Sequence, residues 1–290
     1  MATFVKEENG HTAVESPNPA AAAGAGEAKL EPDGYPSDLE IPIRYIKGMG
    51  GDMVEARRRW IESLKWHESY GVNNILQEPQ PHFDVIKKYY PHFVYNRAKN
   101  GFLTYYELPA GIDLAKLRAN GVSVDDLLRH YVYITEFMWN VLDTNEESKL
   151  LTVWDLAGVK LSMFVGEAKE FMVKSAKVIA AHYPERSFKI FVVNAPWWFN
   201  LVWKLLSPLL HPNTKAKVIV KGSKYMEELE GLIDLDQIPS AIGGKDSTPV
   251  LDSKEEIAVR EHVMKVLAEN GMEMTPEVRE SRNAHNVLEM

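Results

Sequence analysis

The sequence predicts one α/β domain on a mainly parallel sheet, and three observations carry that reading. Helical and strand-forming patterns alternate through the middle of the chain, as they do when parallel strands are joined by helices. The 290 residues are 45% hydrophobic, which is enough to supply a sizeable core. No internal repeat is visible, and with the ends set aside the folded part has the size of a single domain.

Residues 1–38 are rich in Ala, Gly, Pro and Glu without a sustained apolar period, so a disordered tail is expected there. From Ile41 to Tyr70 the pattern is helical: Met53, Ala56, Trp60, Leu64 and His67 share a face, and Gly71 ends the run. Phe83 to Tyr90 reads as a short helix stopped before Pro91. Gly101 then introduces Phe102-Leu103-Thr104-Tyr105-Tyr106, read as the first strand.

Asp125 to Leu142 is the next helix, with two acids in its first turn, and Leu150 to Trp154 is the second strand. Leu161 to Tyr183 is a long helix, Phe188 to Val193 the third strand, Trp197 to Leu210 a helix and Val218 to Val220 the fourth strand. Gly243-Gly244 marks the domain's end near residue 246. The stretch 247–290 is an extension with one helix, Glu255 to Glu269, expected to lie back on the surface.

A net charge of −8 argues against a general nucleic-acid binder, whose affinity comes from basic patches. Zero cysteines exclude disulfides and thiolate catalysis. The longest apolar run, Phe188 to Leu210, is interrupted by Asn194, Pro196, Asn200, Lys204 and Pro208, short of a membrane span. The acidic start also lacks the charge and apolar core of a signal peptide, so a cytoplasmic chain is expected.

Two features carry chemistry. The segment from Pro196 to Ser207 holds Trp197, Trp198, Phe199 and Trp203, and its few polar residues leave an unusually wide apolar arc. Such a helix is either buried between layers or covers an apolar cavity, with tryptophans suited to the bilayer interface. Glu185 precedes the third strand, and Thr214 and Lys217 precede the fourth, so parallel strands bring the three to one sheet edge. Lys217 and Thr214 could hold a phosphate while Glu185 accepts from hydroxyls. Equally, the spacing suits a surface salt bridge of little energetic weight. Open α/β sheets normally bind ligands at the other edge.

His182-Tyr183-Pro184-Glu185-Arg186, Phe191-Val192-Val193-Asn194-Ala195-Pro196, His211-Pro212-Asn213-Thr214 and Ile242-Gly243-Gly244-Lys245 together resemble the CRAL-TRIO signature in its usual order. Asp155-Leu156-Ala157-Gly158 matches as well. The likeness spans about residues 41–246 and is closest to the phosphatidylinositol-transfer branch.

The resemblance implies a domain over 39–246 whose sheet floors a lipid cavity covered by helices, with a mobile gate helix at the mouth. It also implies an abbreviated N-terminal helical part over 39–71. Glu185, Thr214 and Lys217 match positions that bind a phosphoinositide headgroup. The family's headgroup arginine falls on Met49, leaving Arg44 or Lys47 as substitutes. Tyr105 and Thr152 match cavity positions that contact phosphatidylcholine, whereas Val94, Leu150 and Ile179 replace polar residues expected there.

The implied function is transfer of one phospholipid, phosphatidylinositol foremost, through transient membrane contact. The alternatives are a sensor presenting lipid to a phosphoinositide kinase, a carrier of another hydrophobic ligand such as a sterol, and an α/β enzyme using Asp155.

Other motifs fail. Gly48-Met49-Gly50-Gly51-Asp52 lacks the third glycine of a dinucleotide loop and the lysine of a phosphate loop, and reads as a turn capped by Asp52. Nine histidines include no metal-binding pair on a helix, and no serine sits in a Gly-x-Ser-x-Gly elbow. No cofactor, metal or catalytic residue is expected.

Overall fold

The computed structural model describes residues 30–272. Residues 1–29, the bulk of the expected tail, and 273–290 lie outside the described residues. Residues up to Leu39 form a unit of their own, whose described part is a turn in which Leu30 bridges Pro36.

The second unit begins with α1 (Ile43–Gly48) and α2 (Met53–Tyr70), where one continuous helical pattern was read from Ile41. The break has a local cause. Gly50 and Gly51 take φ of 64° and 89°, and Asp52 then caps α2 by accepting from the Val54 and Glu55 amides at 3.0 Å.

After α3 (Phe83–Tyr89) comes a strand the sequence reading passed over, β1 (His92–Arg97). It pairs antiparallel with β2 (Leu103–Glu107). Then α4 (Leu114–Ala119) leads to α5 (Val124–Phe137), which starts at a capping box between Ser123 and Asp126 and runs into a π-helical turn at Met138–Leu142. β3 (Leu150–Asp155), α6 (Gly166–His182), β4 (Ser187–Val193), α7 (Phe199–Leu206), α8 (Pro212–Lys215), β5 (Val218–Val220) and α9 (Met226–Glu230) follow. The five strands lie in sequence order, with β2 to β5 parallel.

The sheet separates two cores. On one face, Phe93, Tyr106, Leu151, Val153 and Phe191 pack under Leu229, Ile233, Ile238 and Ile242. The Ile242-Gly243-Gly244 turn closes that layer so tightly that a Cβ on Gly244 would collide with the Ile238 carbonyl. On the other face, Val94, Leu103 and Tyr105 meet Val132, Tyr133, Ile134 and Phe137 of α5.

The last helix, α10 (Lys254–Glu269), also lies here. It was expected to lie on the surface, yet Val259, Val263 and Leu267 are 0–2% exposed within this core. Polar contacts bind it to the sheet, because Glu256 accepts the Val94 amide at 2.9 Å and the Ser253 hydroxyl donates to the Val94 carbonyl at 2.8 Å. Among the described residues no helix is long and apolar enough to cross a membrane.

Candidate functional site

A cavity opens between the sheet and its helical cover. Strand alternation turns Leu150, Thr152 and Trp154 of β3 toward it while Leu151 and Val153 pack on the opposite face. β2 contributes Tyr105 and Glu107, and β5 contributes Val218. On β4, Ser187 and Ile190 are three apart and would ordinarily face opposite ways. The register shift opposite Leu150 and Leu151 inserts one residue, so both line the cavity.

Tyr131, Ile134 and Thr135 of α5, Met138 and Trp139 of its π-helical turn, and Phe171, Met172, Ser175, Ala176 and Ile179 of α6 form the cover. Trp203 and Leu210 close it from the α7 side.

The wall is apolar apart from a few groups. Glu107 is the acidic one: burial raises its carboxyl to about 6, even though Tyr90 donates to it at 2.5 Å and Trp154 also bonds it. Thr152 and Tyr105 face the same space, with the Tyr105 ring 4% exposed. Of the three apolar replacements, Leu150 and Ile179 line the cavity. Val94 is fully buried in the neighbouring core and is absent from the wall.

α7 spans Phe199–Leu206 and continues as a 3₁₀ turn over Ser207–Leu209, shorter than the helix expected from Trp197 to Leu210. Its aromatic residues divide. Trp197 is 89% exposed, with Leu201 and Leu205 also exposed at helical spacing. Phe199 is 3% exposed and points inward with Val202. Trp198 is half-buried, its ring edge-on to Phe164 at 5.8 Å, and Trp203 is half-buried against the cavity. Exposed Leu161 and Val165 flank Phe164.

A charged corner lies at the amino edge of the parallel strands. α6 ends at His182 because Pro184 disfavours helical geometry before it. His182 is held by Ser63 at 2.9 Å and stacks on Trp66 at 4.0 Å, and burial lowers its pKa to about 4. The Tyr45 hydroxyl lies 2.7 Å from the Ser63 hydroxyl and donates to the His182 carbonyl at 2.8 Å. Pro184 packs so closely on the α1 end that a Cβ on Gly48 would sit 3.2 Å from it.

Glu185 then takes a left-handed φ of 57°, and its Oε2 receives two ammonium groups, Lys217 at 3.0 Å and Lys149 at 3.2 Å. Burial alone would raise the Glu185 carboxyl, but bonds and charge from Lys217 and Lys149 hold it below the usual carboxylate range. Thr214 lines the cavity, whereas Lys149, Glu185 and Lys217 are outside its wall, which takes in their chain neighbours Leu150, Arg186 and Val218.

Lys47 is elsewhere engaged, paired with Glu147, and Arg44 faces Glu146 at 3.8 Å while lying over the Tyr45 and Trp60 rings. Asp155 is 7% exposed and accepts from the Ala157 amide and the Asn194 side chain, which makes it a turn-closing group.

Three residues escaped the sequence reading. Lys149 immediately precedes β3 just as Lys217 precedes β5, so the rule that singled out Lys217 applied to it as well. Glu107 is a carboxylate ending an otherwise apolar strand. Arg186 closes the His182–Arg186 motif, and its guanidinium donates to the carbonyls of Asn145, Glu146 and Ser148 and lies 4.1 Å from the Trp139 ring. It thereby fixes the loop that presents Lys149.

The crystal structure of Sfh5 superposes with a TM-score of 0.56 at 18% identity, covering 79% of this chain and 80% of that one, which supports the fold. A phosphatidylinositol/phosphatidylcholine transfer protein of Arabidopsis thaliana, SFH12, is 27% identical over 215 residues, 71% of this chain and 39% of that protein. The chain thus spans well under half of that relative's length. The SEC14 cytosolic factor of Candida glabrata is 26% identical over 235 residues, 75% of each chain. The CRAL/TRIO domain model matches residues 87–244, from the end of α3 through the five strands to the Gly243-Gly244 turn. With more than half its length matched and its sheet, helical cover and cavity in place, this chain belongs to the CRAL/TRIO domain family.

Proposed function

We propose that the chain is a lipid-transfer protein that takes one phospholipid, phosphatidylinositol foremost, into the cavity and moves it between membranes in the cytoplasm. The observation that carries this reading is an apolar cavity whose wall includes the chain neighbours of a charged corner, Leu150, Arg186 and Val218, and Trp203 of a helix that bears exposed apolar side chains. Acyl chains gain about 0.8 kcal/mol per buried methylene relative to water, and a bilayer gives nearly the same. Extraction is therefore close to balanced, and the headgroup contacts decide which lipid is held. Names of the relatives support the same activity.

In this reading Trp197, Leu201 and Leu205 dip into the interface while α7 swings aside, with Trp198 and Phe199 uncovered as it moves. Trp203 turns from the cavity wall to the lipid. Lys217 and Thr214 meet the phosphate, and Glu185 accepts from ring hydroxyls. Lys47 would have to leave Glu147 to take part. Tyr105 and Thr152 touch the chains or a second ligand, and the apolar Leu150 and Ile179 disfavour a choline phosphate deep in the cavity. No step requires covalent chemistry.

The test is vesicle-to-vesicle exchange by the full chain. Phosphatidylinositol should move several-fold faster than phosphatidylcholine, and equal rates would remove the headgroup selectivity. Trp197→Ala should cut exchange severely while shifting the denaturation midpoint little, since the ring is 89% exposed. Normal exchange by that variant would overturn the gate assignment. Tight binding of phosphatidylinositol without exchange would replace transfer by sensing.

A further inference from the structure

The proposed headgroup corner contains a second ammonium group beside Lys217, that of Lys149. Lys149, Glu185 and Lys217 stand one, two and one residues before β3, β4 and β5, so the parallel register brings all three to one edge. Both ammonium groups bond the same carboxylate oxygen, at 3.2 and 3.0 Å. The trio thus carries two positive charges against one negative. Its side chains are 29%, 16% and 22% exposed in that order, sheltered yet reachable from solvent.

Neighbouring cations are spoken for, because Lys47 pairs with Glu147 and Arg44 with Glu146. The position is also built. Arg186 grips three carbonyls of the loop before Lys149, and the Leu150 amide donates to the Arg186 carbonyl at 2.8 Å.

We infer that Lys149 is a headgroup-binding residue, forming with Lys217 a two-ammonium clamp for the phosphodiester of an anionic, hydroxyl-bearing lipid headgroup. Glu185 bridges the two ammonium groups. An entering phosphate takes its place between the two lysines, and the freed carboxylate turns to accept from the headgroup hydroxyls. The second cation comes from the sheet edge, one residue before β3. This inference rests on the proposed phosphatidylinositol reading and adds a residue to it.

The experiment compares wild type, Lys149→Met, Lys149→Arg and Lys217→Met for uptake of phosphatidylinositol from vesicles. A vesicle with a neutral diacylglycerol as the only labelled lipid is the control, and melting temperature is followed throughout. Lys149→Met should lose about tenfold in phosphatidylinositol uptake, the scale of one charge-assisted bond, with unchanged diacylglycerol uptake. Lys149→Arg should recover most of it.

Uptake by Lys149→Met equal to wild type, with Lys217→Met impaired, would overturn the role of Lys149 and leave the broader reading standing. Failure of wild type to take up phosphatidylinositol would overturn both. Glycerophosphoinositol and inorganic phosphate provide the second arm. If either binds wild type as tightly as the vesicle lipid does and loses the same factor in Lys149→Met, the clamp serves a soluble anion and the lipid assignment is overturned.

Discussion

Two ion-pair clusters in this chain use the same side-chain types to opposite ends. Beneath α10, Lys87 pairs with Glu256 at 2.8 Å and Arg260 with Asp84, all at most 9% exposed, with two cations against two carboxylates. Glu256 also accepts the Val94 amide, and Lys87 donates to the His92 carbonyl at 3.1 Å. At the amino edge of the parallel strands, Lys149, Glu185 and Lys217 are partly wet and carry two cations against one carboxylate. A dry, balanced cluster fixes one arrangement because any unpaired member is costly. A sheltered, unbalanced one leaves charge available and can exchange partners cheaply.

The contrast is broken most forcefully on the dry side. Glu256→Ala strands the Lys87 ammonium and the Val94 amide together, and the expected loss is about 3 to 5 kcal/mol in chemical denaturation. A loss below 1 kcal/mol would place both clusters in one class.

His182 is an intermediate case, half-buried just ahead of Glu185. Its folded pKa of about 4 lies below the ordinary 6.5, so it contributes stability above pH 6.5 that is lost as pH falls toward 4. Allowing for partial exposure, that loss is about 2 kcal/mol. His182→Gln should therefore flatten the pH dependence of the denaturation midpoint between those values, and an unchanged slope would refute the assignment.

The smallest stability effect belongs to the wet cluster. Glu185→Gln should change stability by less than about 1 kcal/mol while impairing phosphatidylinositol exchange. A loss comparable to Glu256→Ala would make the corner a structural clamp like the other.

The same division governs what could be read from the sequence. β2 to β5 were legible because each is an apolar run set between helical patterns. β1 was not: His92, Phe93, Val94 and Tyr95 are buried on both faces, so no alternation marks them, and Asn96 at φ 56° interrupts the register. Its partner is also the neighbouring strand, which removes the helix that would have announced it.

For the corner, Glu185 and Lys217 were found through motif likeness and strand position. Lys149 stands where the same rule of strand position applies, immediately before β3, but it belongs to none of the matched motifs. The burial of α10 was hidden because Lys254, Glu255, Glu256, Arg260 and Glu261 make it look like a solvated helix, and only pairing across more than 150 residues lets Glu256 and Arg260 go inside.

That burial has a consequence for where this protein can be cut. The family pattern ends at residue 244, after the last strand, and a fragment stopped there would keep the whole sheet. It would also open the groove that Val259, Val263 and Leu267 fill beside Val94 and Phe137. The limits of a shared sequence pattern are thus not the limits of cooperative unfolding. The smallest piece able to melt in one sharp transition extends through Glu269, and a shorter one should show a broad, low-amplitude transition instead.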